Sequence, residues 1–168
     1  ARICEDAKEW CVTFSDNSEY KASLKRQDKN SGFAVFAVAK EGISDSSWNA
    51  ATVASLGNSN LTEQGDTVFA LGSMFGYAGG TGYGIVSSTN YKEMVRDGDY
   101  GVIATDISCA SDGTGVLFNQ SGEVIGMISS EIWKDRGMHT ANAYAISDLK
   151  SIMQLLANGA SVPYFGIS

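Results

Sequence analysis

This 168-residue chain has one proline, one histidine and three cysteines without a CxxC pair. Cys4, Cys11 and Cys109 are odd in number and lack zinc-ligand spacing, which disfavours a structural zinc site. They allow at most one internal disulfide, and the simpler expectation is buried free thiols. Nowhere does the chain approach the ~18–20 consecutive apolar residues of a membrane span. Positive charge is also scarce, with 12 Lys and Arg against 19 Asp and Glu and a net charge of -7. That balance disfavours nucleic acid and anionic membrane surfaces as partners and reads as solubility charge. No signal-peptide pattern opens the chain. Its start at Ala1 rather than methionine points to a processed or partial chain, with room for a leader or anchor in a longer parent.

What is abundant is glycine, 19 residues, beside a hydrophobic content of 43% and only 18% charge. Many tight turns with enough apolar side chains for a core favour an all-β protein. Glu9–Phe14 alternates, with Trp10, Val12 and Phe14 on one face. A turn at Ser15–Ser18 leads into Glu19–Arg26 as its hairpin partner, and Phe33–Ala39 (FAVFAVA) reads as a buried strand. Lys40–Ala51 is polar, with Trp48 its one aromatic, and reads as a connecting loop. Thr67–Gly72, Tyr83–Ser88 and Tyr100–Ile107 read as strands, and Tyr91–Asp99 as a charged loop. The glycines at 79, 80, 82 and 84 run into a strand without a Lys-Ser/Thr, so they mark a hairpin and no nucleotide site. No cofactor is expected. Near the end, Ser147 is placed to cap a helix with Leu149, Ile152, Met153 and Leu156 on one face, stopped by Asn158-Gly159.

The stretch that organises the chain is Thr105–Met127, TDISCASDGTGVLFNQSGEVIGM. Val116-Leu117-Phe118, the turn residues Asn119–Gly122 and the apolar Val124–Ile128 form a hairpin. The loop before it, Cys109–Gly115, is built of small residues, which lets backbone N–H groups converge on a ligand atom as an oxyanion hole requires. This stretch resembles the active-site segment of trypsin-like serine proteases of the HtrA/DegP kind. Thr105-Asp106 match the start of that segment, Gly115, Leu117 and Asn119 its middle, and Gly122–Gly126 its end. The resemblance extends over most of the chain and is strongest over residues 54–76 and 100–150. It implies a chymotrypsin-like double β-barrel, all-β, with a truncated first barrel and a C-terminal helix. Residues 1–45 would be the remnant of the first barrel and 46–168 the second barrel with its helix. The tail Val162–Ile167 resembles the start of a PDZ module.

The residues that should do the chemistry are missing. By resemblance the nucleophile falls on Gly113, the orienting acid on Gly32 and the base on Arg2, while His139 lies in a polar loop far from the family's His motif. A serine protease needs all three groups. Ser108, Ser111 and Thr114 are substitute hydroxyls with His139 as substitute base, but they read more simply as loop hydrogen-bonders and a surface histidine. Asp106 and Asp112 form no convincing acid–base pair, and Cys109 has no nearby cation in sequence to lower its pKa. The resemblance therefore implies a pseudoprotease outside the cytoplasm, a binding or scaffolding domain for a peptide or protein ligand. The alternative is a serine endopeptidase with a displaced site or one completed in trans. The candidate peptide-binding residues are Ser111, Asp112, Gly113 and Thr114 with Ile128, Ser129, Ser130 and Glu131 of the groove strand. A groove filled instead by Trp133 or Met138 is the competing expectation. Phe33, Val35, Phe36 and Val38 are too apolar for a free surface, so a homodimer or strand complementation through the first lobe is expected, unless Trp48 plugs it. A flanking PDZ or membrane-anchored module is expected in the parent protein.

Overall fold

The computed structural model describes residues 7–95, 98–133, 137 and 139–165. Arg2, Cys4, Met138 and the last part of the tail lie outside them. The chain divides into two compact units, Ala1–Val53 with Ser151–Ser168, and Ala54–Lys150.

In the first unit, β1 (Trp10–Thr13), β2 (Glu19–Asp28) and β3 (Phe33–Val38) form an antiparallel sheet in the order β1-β2-β3. Trp10 meets Phe36 across this sheet at 5.7 Å between ring centroids. The apolar run of β3 is only partly buried, which corrects its reading as a buried strand. Among the described residues β3 has one neighbour, β2, so it is an edge strand of a small sheet. Cys11 is a free, exposed thiol on β1, against the expectation of burial, because β1 is exposed on both faces past Trp10.

The segment 40–51 is no plain loop. A 3-10 turn (Lys40–Gly42) precedes α1 (Asp45–Ala50), whose N-cap Ser44 accepts from the Ser47 N–H. Trp48 is 46% exposed, with Lys40 Nζ 4.4 Å above its ring, so it plugs nothing. Ser47 is fully buried and donates to Asp16 in the β1–β2 turn. Tyr20 joins this network through Ser44 Oγ (3.2 Å), the Ser44 N–H (3.1 Å) and Ser47 Oγ (3.0 Å). The hydroxyls of Ser44 and then Ser47, followed by the Ser44 amide, pull the Tyr20 phenol down to about 8. A folded-state pKa below the ordinary value near 10 means that the phenolate is favoured in the folded state. The first unit therefore gains stability from Tyr20 as pH rises from about 8 to 10, and that gain is absent below about 8. Tyr144 has the opposite sign: burial first, then Glu93 and Glu131, push it up to about 12, so its contribution is lost above pH 10. Absorbance at 295 nm should show one tyrosine ionising near pH 8, and Tyr20→Phe should remove that step. A Tyr20→Phe curve that keeps the early step would assign it elsewhere.

The second unit is a closed barrel with strand order β4-β5-β6-β9-β8-β7. Its strands are β4 (Thr67–Ser73), β5 (Gly80–Val95), β6 (Gly98–Ser108), β7 (Thr114–Phe118), β8 (Val124–Ile128) and β9 (Thr140–Ala145). Val68, Ala70, Val86, Ile103, Leu117, Ile125 and Ala143 fill its interior. The expected charged loop at 91–99 is instead the far end of β5 and the start of β6, paired from Tyr91↔Val102 to Val95↔Gly98. Charged side chains on an exposed two-stranded ribbon carry no loop signal of their own, because both faces are wet. The turn at 119–122 forms as expected: Asn119 Oδ1 accepts from the N–H groups of Ser121 and Glu123, and Gly122 takes φ +75°.

The C-terminal helix α2 (Ile146–Ala157) buries Leu149, Ile152 and Leu156. Gly159, at φ +74°, closes it with bonds from Gly159 N–H to Leu156 O and from Ala160 N–H to Leu155 O, the pattern of a Schellman cap. Ser147 does not cap this helix. It lies one residue inside, where its Oγ accepts from the Ser59 N–H at 3.1 Å and its N–H donates to Ser59 Oγ at 3.0 Å. That reciprocal pair fastens the helix start to the 3-10 turn Ser59–Leu61.

Candidate functional site

The loop between β6 and β7 is held at both ends before it offers any chemistry. Thr105 Oγ1 donates to the Ala141 carbonyl at 2.6 Å, and Asp106 Oδ1 accepts from the Ile85 N–H at 2.7 Å. Asp106 is thus tied to β5 rather than paired with Asp112. At the other end, Gly115 pairs with Gly72 of β4 and Ile128 of β8. Within the loop, the Cys109 N–H donates to the His139 carbonyl (2.8 Å), the Ala110 N–H to the Met74 carbonyl (2.6 Å), and the Gly113 N–H to the Ala110 carbonyl (2.9 Å). Three amides of a loop suited to an oxyanion hole are spent on the protein itself. The Gly113 amide is of most interest, since the sequence resemblance puts the family's nucleophile at this residue.

Gly113 is buried, and its missing side chain is not a vacancy. A Cβ there would lie 2.3 Å from Cys109 Sγ, 3.0 Å from the Ala110 carbonyl and 3.2 Å from Met74 Cα. The thiol occupies the room that a serine Cβ requires. Burial, then the charge of Asp112, pushes the Cys109 thiol above its ordinary pKa, so it stays protonated and unreactive near neutral pH. Buried packing is its role. Ser111, Asp112 and Thr114 are exposed around it, and His139 is exposed as well, reaching the loop with its backbone.

Gly32 sits in the first unit at φ +78°, in the β2–β3 turn, with nothing within 4 Å of a would-be Cβ. The carboxylate near it in sequence is Asp28, which sequence reasoning passed over. Asp28 accepts from the Ser31 N–H (2.7 Å), Ser31 Oγ (2.5 Å) and Tyr164 Oη (2.7 Å). Burial pushes its carboxyl up, but the hydroxyls of Ser31 and Tyr164 and nearby amides outweigh that and hold it below the ordinary value. Its acceptor capacity goes to structure, and Asp-x-x-Ser before a glycine was the available signal.

The candidate groove residues divide. Ile128 is buried and paired on both sides, with Gly115 and with Ala143. Beyond it the extended backbone ends: the Ser129 N–H donates to the Asn142 carbonyl (3.2 Å), and the Ile132 N–H turns back onto the Ser129 carbonyl (3.3 Å). Ser130 and Glu131 lie in that turn, and the Glu131 N–H donates to Ser129 Oγ at 3.3 Å. Ile132 is buried behind it, and Trp133, at φ +54°, stacks edge-on against Tyr91 at 5.1 Å. Ser111–Thr114 and Ile128 are thus brought onto one end of the barrel through the Gly115↔Ile128 pair. Ser130 and Glu131 leave it along the turn.

Known proteins are similar to this chain in sequence and fold. Residues 2–127 match the trypsin-like peptidase domain family. A probable periplasmic serine endoprotease, DegP-like, of Pseudomonas savastanoi pv. phaseolicola is 33% identical over 145 residues, which is 86% of the chain and 28% of that relative. A protein of the same description from Halomonas elongata is 33% identical over 147 residues, 87% of the chain and 29% of the relative. Among solved structures, the HtrA-type protease AlgW with a decapeptide is similar at a TM-score of 0.69 and 21% identity, covering 93% of the chain and 46% of AlgW. AlgW with a tripeptide gives 0.71 and 21%, covering 95% and 51%. The open sheet, closed barrel and C-terminal helix therefore follow the chymotrypsin-like fold of HtrA proteases. The chain spans under a third of the length of these curated relatives.

Proposed function

The chain belongs to the trypsin-like peptidase domain family, in its HtrA/DegP branch, and we propose that this domain engages peptide or protein segments without cleaving them. One observation carries the reading: at the nucleophile's position stands Gly113, whose Cβ space is taken by Cys109 Sγ and whose N–H is taken by the Ala110 carbonyl. Covalent acyl transfer needs a nucleophile, a base and an open pair of oxyanion donors. The loop supplies none of the first two at the expected places, and one of its donors is engaged. Ligand contacts fall to Ser111–Thr114 and the end of β8, with Ser129–Glu131 adjusting as the turn opens. The peptide-bound AlgW structures support a peptide as the ligand class.

The names of the relatives support a location outside the cytoplasm, and no described helix is long and apolar enough to cross a membrane. The three-stranded first unit reads as the remnant of a first barrel. Its edge strands β1 and β3 suit completion by a further strand, from a longer parent chain or a second copy. A flanking PDZ or membrane-anchored module belongs to the same reading of the parent protein.

The relatives' description as endoproteases supports the competing reading, an active peptidase using Ser108, Ser111 or Thr114 with His139, or a site completed in trans. A fluorophosphonate probe separates the two, with an active DegP-like relative as positive control. The expected result is no serine adduct by intact-mass measurement, together with amide chemical-shift changes at 111–114 and 128–131 on peptide addition. Stoichiometric labelling of a single serine would establish the endopeptidase instead.

A further inference from the structure

Away from the β6–β7 loop, the first unit holds a cavity of about 430 Å³ between the end of β2 and the segment 161–164. Its volume is in the range of small-ligand sites. The chain has 12 Lys and Arg in all, and three of them, Lys25, Arg26 and Lys29, fall within five residues that line this cavity. A protein of net charge -7 has concentrated cations at one point, and the local backbone presents them. The β2–β3 register shifts between Leu24 and Arg26, so Lys25 is the extra residue of a bulge. A bulge sets two residues against one on the partner strand and re-aims side chains, and both Lys25 and Arg26 are exposed.

One oxygen of the carboxylate in the cavity wall, that of Asp28, is already engaged. Its Oδ2 accepts from the Ser31 N–H, Ser31 Oγ and Tyr164 Oη, so that oxygen is directed into its own turn and the tail. Arg26 is positioned by a bond from Nη2 to Ser161 Oγ, which leaves its other guanidinium donors for a ligand. Beside it, Gln27 also lines the cavity, and its Oε1 is buried without a partner. An unpartnered buried acceptor costs stability unless something donates to it. The terminal torsion of a glutamine is soft, so this amide can turn toward a donor in the cavity.

We propose that this cavity binds a peptide carboxylate together with a neighbouring amide N–H, the carboxylate on Lys25 and Arg26 and the N–H on the Gln27 side-chain carbonyl. Inorganic phosphate, still partly protonated near neutral pH, has no amide N–H beside its charge and matches the cavity less well. Because Ser161 and Tyr164 form the opposite wall, an occupied site also holds the segment 161–164 in place. The proposal concerns the first unit and stands whether or not the β6–β7 loop is catalytic.

Two peptide probes separate the sources of such a carboxylate: acetylated tetra-alanine with a free C-terminus, and acetyl-Ala-Ala-Glu-Ala amide, whose only carboxylate is a side chain. Inorganic phosphate is the control, and amide shifts of residues 25–30 are the readout. Saturable binding of either peptide, tighter than phosphate, is expected, and the peptide that binds identifies the source. Arg26→Gln and Lys25→Gln should each weaken it by roughly tenfold. Gln27→Leu should weaken binding severalfold while leaving thermal stability unchanged or higher, since it removes an unpaired acceptor. No saturable binding, equal binding of phosphate, or indifference to Arg26→Gln and Lys25→Gln would each overturn the site. Lys25 is an exposed bulge residue, so loss of folding does not confuse its result.

Discussion

Replacing Gly72 with alanine should unfold the second unit more than any other single methyl added to it. Gly72 lies in the middle of a row of three glycines across neighbouring strands, Gly80 on β5, Gly72 on β4 and Gly115 on β7. A Cβ on Gly72 would stand 2.3 Å from the Thr114 carbonyl oxygen and 2.5 Å from Gly115 Cα, both backbone atoms of a paired strand. Neither can move without breaking the β4–β7 ladder, and that ladder closes the barrel. Overpacking typically costs about 1–3 kcal/mol where side chains can yield. With backbone as the obstacle the loss should be about 3 kcal/mol or more, a large part of the 5–15 kcal/mol that holds a domain together. Two controls frame the test. Gly80→Ala meets the ring of Phe75 at 2.8 Å, which can swing aside, so its loss should be smaller. Gly98→Ala meets nothing within 4 Å and should be neutral or slightly stabilising. Urea midpoints decide it: a Gly72→Ala midpoint close to that of Gly98→Ala would show that the β4–β7 approach is looser than the structure has it.

Those glycines also show which parts of the fold were legible in the sequence. Where a residue type has one physical meaning, the reading held. Asn119–Gly122 had to turn, Gly159 had to end a helix, and the apolar periods at 116–118 and 124–128 had to face a core. Where the outcome depended on what lies opposite, sequence was silent. FAVFAV looks the same whether one neighbour or two flank it, and here β3 has β2 alone among the described residues. Ser147 has the chemistry of a cap, and only the tertiary position of Ser59 diverts it. The ribbon 91–99 is wet on both faces, so its pairing leaves no alternation to read. At the candidate site, the motif resemblance puts Gly113 in the place of a serine. That the space was refilled by a cysteine four residues earlier was not legible, because a loop's internal packing has no period.

That refilling gives the second large effect. Gly113→Ser, which by the sequence resemblance puts a serine at the family's nucleophile position, should destabilise the protein by about 1–3 kcal/mol and give no activity. Its Cβ must displace Cys109 Sγ, at 2.3 Å, while Met74 Cα at 3.2 Å limits retreat on the other side. Cys109→Ala alone removes a small buried group and should cost about 1 kcal/mol. In the Cys109→Ala background the obstacle is gone, so Gly113→Ser should cost far less than it does in the native chain. The coupling from this double-mutant cycle should exceed about 1 kcal/mol, well outside the ~0.3–0.5 kcal/mol within which independent sites add. Additive losses would mean that the thiol is not what fills the nucleophile's place. The same double variant carries the functional half of the argument. It has a serine with room to stand, but the Gly113 N–H is still directed at the Ala110 carbonyl and no histidine occupies the base motif. Fluorophosphonate labelling should therefore stay at background. Labelling of Gly113→Ser, Cys109→Ala at that one new serine would mean that His139 serves as base and that the loop's hydrogen bonds rearrange to free the oxyanion donors. That result would overturn the proposed non-cleaving role.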